Sequence, residues 1–134
     1  MSVGLSFASV FAGDIESLSH FYRRVFGFDE VTELRSEHFR GMRVGDTILG
    51  FSAHTAYGML NLEAPEHLGP GVRSFLTFEA DSDAQVDSLT AIAVAAGGTC
   101  LTPPARTYYG AWQSVLLDPE GNAFRINHLL LQAH

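Results

Sequence analysis

The sequence runs through one plan twice, and that duplication restricts the fold more than any single motif does. In the first half, Leu5 to Ala12 is an apolar, strand-like stretch, and Asp14 behind it is a good helix N-cap. Ile15, Leu18, Phe21, Tyr22 and Val25 then recur at helical spacing until Gly27 supplies a stop. In the second half, Ser74 to Ala80 reads as a strand and Ser82 or Asp83 as a cap. Val86, Leu89, Ala93 and Ala96 form the apolar stripe, and Gly97-Gly98 ends it. The two stops lie 70 positions apart and the caps Asp14 and Asp83 lie 69 apart. Between Phe28 and Ser52 the period shortens, with turns at Ser36-Glu37 and Gly45-Asp46, which predicts three short antiparallel strands. Each half is therefore expected to be a βαβββ module in an α+β chain. The first module covers about residues 3–53 and the second about 73–130, with a linker of about 54–72 between them, all within one domain of residues 1–134.

At 134 residues, 46% of them hydrophobic, such a chain buries roughly two thirds of the surface its unfolded form exposes, so folding requires neither metal nor disulfide. Fifteen acidic residues face eight basic ones, all arginine, for a net charge of -7. That balance disfavours nucleic acid, whose phosphates reward basic clusters, and leaves cationic ligands open. No apolar run approaches the roughly 20 residues of a membrane span, and the start, Met1-Ser2-Val3-Gly4, lacks signal-peptide character. A cytoplasmic protein with no membrane partner is expected. Cys100 is the single cysteine, so an internal disulfide and a thiolate zinc site are excluded; its apolar neighbourhood suits a buried, inert thiol. The absence of lysine removes Schiff-base chemistry.

Four short segments carry a family resemblance: Asp14 at the strand-to-helix junction, Phe21-Tyr22 followed by Val25-Phe26-Gly27-Phe28, Phe78-Glu79-Ala80-Asp81, and Leu117-Asp118-Pro119-Glu120-Gly121-Asn122 before the last strand. The last is the most specific, a turn in which Pro119 fixes φ and Gly121 permits a positive one. With the duplicated module, these segments make the chain resemble the vicinal oxygen chelate superfamily, which includes glyoxalase I, extradiol dioxygenases and bleomycin resistance proteins. The resemblance implies curved sheets forming an open cup, with helices outside. In the metalloenzymes of the family, the first and last strands of each module supply His and Glu ligands from the cup face. The corresponding positions here are Phe7 and Phe75, 68 residues apart, then Arg125, and Gly50 or its neighbour Phe51. Phenylalanine has no lone pair to offer, glycine has no side chain, and arginine carries a fixed positive charge. No metal and no other cofactor are therefore expected.

The candidate ligand-binding residues are Phe7, Phe75, Glu79, Tyr109, Trp112 and Arg125. Arg125 can clamp an anionic group, pair with Glu79 or stack on Phe75. Phe7 and Phe75 suit an apolar stacking surface, and Tyr108, Tyr109 and Trp112, near Pro103-Pro104 and Gly110, suit an aromatic rim. Glu79, His38 and Arg125 are weak catalytic candidates, as general base and oxyanion stabiliser. His38 and Arg40 alternate onto one face, which the pattern leaves open. His128 alternates with Arg125 to the helix-covered face, whereas His54 and His67 fall in the linker, and His20 and His134 on the helix and at the terminus. No His-x-x-x-His or Glu-x-x-His spacing occurs. The expected function is metal-free binding of an aromatic or cationic small organic ligand by a homodimer, sequestering it as bleomycin resistance proteins do. The alternative is a glyoxalase-type lyase or isomerase.

Overall fold

The computed structural model describes residues 2–65 and 74–129, so His67 and His134 lie outside the described residues. The chain divides into two compact units, Met1–Gly69 and Pro70–His134. In the first, strand β1 (Phe7–Ala12) leads into helix α1 (Ile15–Phe26), then β2 (Asp29–Glu30), a 3-10 turn at Thr32–Leu34, β3 (Phe39–Val44), β4 (Thr47–Ala53) and a short helix α2 (Thr55–Met59). The second runs β5 (Leu76–Glu79), α3 (Asp83–Ala95), β6 (Thr99–Arg106), β7 (Trp112–Leu117) and β8 (Ala123–His128). The strand orders are β1-β4-β3-β2 and β5-β8-β7-β6. Each sheet thus pairs its first and last strands in parallel and the others antiparallel, which is the duplicated plan in three dimensions.

Local chemistry explains the helix ends. The Asp14 carboxylate accepts the Ser17 N–H at 2.9 Å, and Gly27 at φ 73° returns its N–H to the Arg23 carbonyl. In the second unit Ser82, not Asp83, is the cap, its hydroxyl accepting the Gln85 N–H at 3.0 Å. Asp83 instead stands in the first turn of α3, where its carboxylate suits the positive end of the helix and binds Arg106 at 2.6 Å and His128 at 2.8 Å. Those two bonds, the one to His128 first, hold its carboxyl below the usual carboxylate range. With Ser82 as cap, the cap offset becomes 68, the same as that of Phe7 and Phe75.

Three expectations change in detail. The second strand shortens to two residues because the chain turns at Thr32–Leu34, where Arg35 bonds the Glu30 carboxylate with both Nε and Nη2. The linker holds α2, whose Tyr57 stacks on Phe11 at 3.7 Å. Five residues are too few to show a helical period. Cys100 is half-buried rather than buried, since β6 is an edge strand with Pro103 and Pro104 in it, where a missing N–H costs no ladder bond.

Alternation sorts each sheet into two faces. Phe51 meets Tyr22 of α1 at 5.4 Å, so Leu49 and Phe51 of β4, with Met42 and Arg40 paired to them on β3, face α1. In the second unit Thr90 of α3 bonds Ser114 at 2.7 Å, so Ser114 and Leu116, with Ile126 and Phe124 opposite them, face α3. These residues form the cores: Phe51, Leu116, Phe124 and Ile126 are fully buried. No described helix is long and apolar enough to cross a membrane.

Candidate functional site

The faces turned away from α1 and α3 carry most of the candidate residues. In the first unit Phe7, Ser9 and Phe11 lie opposite Ile48, Gly50 and Ser52, and Phe39 and Gly41 continue the face onto β3. Phe7 meets Phe39 edge-on at 6.2 Å. The Phe39 ring lies across Gly50: a Cβ there would stand 2.7 Å from two of its atoms and from Ser9 Oγ. Of the two alternatives for the first-module position, Gly50 is on this face and Phe51 is in the core. The glycine is therefore a space requirement, and an aromatic ring occupies the room a longer side chain would need.

In the second unit the face away from α3 holds Phe75, Thr77, Glu79, Arg125, Asn127 and Gln113. Arg125 donates from Nε to Thr77 Oγ1 at 2.9 Å and from Nη1 to Gln113 Oε1 at 3.1 Å and Tyr109 Oη at 3.2 Å. Its guanidinium sits 4.8 Å from the centre of the Phe75 ring. Of the two intramolecular alternatives for Arg125, the stack on Phe75 is made and the pair with Glu79 is not. Glu79 accepts instead from Asn127 Nδ2 at 2.9 Å and the Leu129 N–H at 2.6 Å. Asn127 Oδ1 is a buried acceptor with no hydrogen-bond partner among the described residues.

Tyr109 joins this group, and Tyr108 beside it is fully exposed. Trp112 does not. Its register opposite His128 puts it on the α3 side, where the indole N–H donates to Asp87 at 2.8 Å and Arg106 lies 5.1 Å over the ring. The aromatic rim expected of Tyr109 and Trp112 is thus split between two faces. Trp112, Asp87, Arg106, Asp83 and His128 instead tie the helix to the sheet end. His128 is on the helix side as alternation implies.

His38 lies just before β3, its Nδ1 2.8 Å from Thr55 Oγ1 and its Nε2 3.2 Å from Glu37. Arg40 faces α1 and lines a polar cavity of about 150 Å³ with Glu30, Arg23 and His20. A larger apolar groove, about 570 Å³, lies between α3 and β6, but its polar members Asp87 and Thr90 are already bonded to Trp112 and Ser114.

The metal that the family resemblance implies does not fit these residues. Phe7, Gly50, Phe75 and Arg125 offer no donor to a cation, and among the described residues no group of three or more His, Cys, Asp or Glu side chains converges. The Phe75 stack was among the alternatives read from the sequence, but alternation did not give the hydrogen-bond partners of Arg125, because they come from β5, β7 and the loop before β7.

The turn that precedes β8 also accounts for the most specific sequence motif. Asp118 is buried, and its Oδ1 accepts the N–H groups of Glu120 and Asn122 at 2.9 and 3.0 Å while Gly121 adopts φ 88°. That bonding fixes where β8, and with it Arg125, begins.

Comparison with known proteins agrees with this architecture. A glyoxalase/bleomycin resistance protein/dioxygenase family enzyme from Burkholderia phytofirmans PsJN is 43% identical, with a TM-score of 0.90 over 96% of this chain and all of that one. A lactoylglutathione lyase from Agrobacterium tumefaciens is 22% identical, with a TM-score of 0.72 over 96% of this chain and 95% of its own. The fosfomycin resistance protein FosX from Mesorhizobium loti is 19% identical, also with a TM-score of 0.72, over 98% and 96%. The last two share the fold. No curated protein matches the sequence significantly. The family profile spans residues 4–126, so the chain belongs to the glyoxalase/bleomycin resistance protein/dioxygenase superfamily.

Proposed function

We propose that this chain binds an aromatic small organic molecule without a metal, sequestering it rather than transforming it. One observation carries the reading. Exposed aromatic rings stand where metalloenzymes of the resemblance carry ligands: Phe7 is 44% and Phe75 is 55% exposed, each on the sheet face away from its unit's long helix. Rings of this size left open to water lose apolar hydration when a planar molecule covers them, which favours binding. Lewis-acid polarisation of vicinal oxygens needs donors for a metal, and these positions supply none.

The test is a thermal-shift screen of bicyclic aromatics of differing charge, run with and without chelator. A binder present at about 100 times its Kd should stabilise the fold by about 2.7 kcal/mol, equally in both conditions. Glutathione–methylglyoxal hemithioacetal should not be turned over. A shift abolished by chelator and restored by a divalent metal, or metal-dependent turnover of the hemithioacetal, would contradict the reading.

A further inference from the structure

We infer that the face around Arg125 selects an acidic aromatic ligand, whose carboxylate meets the guanidinium while its ring lies against Phe75; this rests on the binding function proposed above. Net charge left a cationic ligand open, whereas Arg125 was itself a candidate clamp for an anionic group. The immediate surroundings of Arg125 favour the anion.

Among the described residues, every partner of this arginine is neutral. Thr77, Tyr109 and Gln113 take the hydrogens of Nε and Nη1, and the Cζ of the guanidinium stands over the Phe75 ring. No carboxylate of the described residues lies within 4 Å of it, in contrast to Arg35 with Glu30 and Arg106 with Asp83. Glu79, the acid on the same face, has both oxygens committed to Asn127 and Leu129. The two N–H groups of Nη2 make no hydrogen bond within the described residues, and a guanidinium has five such donors in a fixed fork. The charge is therefore held in place and left without a counter-ion among the described residues.

Held in place matters as much as uncompensated. Three hydrogen bonds and a ring contact fix a side chain that otherwise loses considerable rotamer freedom on binding, so an incoming anion meets a preorganised donor. Tyr109 donates to Gln113 at 2.6 Å, which in turn fixes the acceptor that Arg125 uses. The net charge of -7 repels anions at long range, but at physiological ionic strength that field decays over about 8 Å. Contact chemistry at Nη2 then decides. Phe75, 55% exposed, offers the neighbouring apolar surface for a ring attached to the acid.

Calorimetric titration of the full chain with three probes of one shape tests this: 2-naphthoate, 2-naphthalenemethanol and 2-naphthylmethylammonium. Naphthoate should bind about 10- to 100-fold more tightly than the alcohol, the range for hydrogen bonds to a charged group. The ammonium probe should bind weakest. In Arg125→Gln the ratio of naphthoate to alcohol affinity should fall to about one, whatever the absolute affinities become. Equal binding of acid and alcohol by the natural protein, or a preference for the ammonium probe, would overturn the inference while leaving the proposed binding function standing. Failure of all three to bind would overturn both. The comparison of probes on the natural protein needs no variant, so a misfolded Arg125→Gln would not obscure it.

Discussion

Truncating Phe124 to alanine should lower the unfolding free energy by about 3–5 kcal/mol, the range for removing a fully buried phenylalanine and leaving its cavity. Phe124 is fully buried on the α3 side of β8, edge-on to Phe78 with ring centres 6.1 Å apart and opposite Leu116. Phe75→Ala, by contrast, removes a ring that is 55% exposed on the other face and should cost less than about 1 kcal/mol, chiefly its contact with Arg125. That second variant should instead lose affinity for aromatic probes. Urea denaturation of the two proteins, with calorimetry on Phe75→Ala, checks both halves of the contrast. Similar stability losses would mean that the two faces of this sheet are not divided into core and binding surface.

Gly50→Ala should destabilise the first unit by about 1–3 kcal/mol, the usual cost of overpacking a filled space. The new Cβ would stand 2.7 Å from two atoms of the Phe39 ring and 2.7 Å from Ser9 Oγ, which no side chain tolerates without movement. Ser9 can rotate its hydroxyl; the ring has to swing off the sheet, giving up its contact with Phe7. In a Phe39→Ala background the same substitution should be close to neutral, so a double-mutant cycle isolates the steric term. If the cost of Gly50→Ala persists without the Phe39 ring, that ring is not what reserves the glycine. The same crowding bears on function: a glutamate at Gly50 cannot be introduced without displacing Phe39 from the aromatic face.

The local elements were legible because their signals are local. Asp14 and Gly27 mark the ends of α1 by chemistry that operates within four residues, and the helix stripe follows from a period of 3.6. The second cap shows the limit: Ser82 and Asp83 both carry a suitable oxygen, and the choice between them rests on Arg106 and His128, which come from β6 and β8. Faces along one strand were legible too, as with Arg125 and His128 on opposite sides of β8. Faces across strands were not. Whether Trp112 shares a face with Arg125 depends on Val115 being the residue opposite Arg125, a register set by the turn at Asp118 and by packing on α3. The neutral surroundings of Arg125 have the same origin, since Thr77 is 48 residues away in sequence. Only the ladder brings them together.

The most direct test of metal-independent binding is a chemical-shift map of the chain in excess chelator, titrated with 2-naphthoate. The account predicts perturbations centred on Phe75, Thr77, Tyr109, Gln113 and Arg125, with little change at Ser114, Leu116, Phe124 and Ile126 on the α3 side. Perturbations confined to the groove between α3 and β6, or none until a divalent metal replaces the chelator, would contradict it.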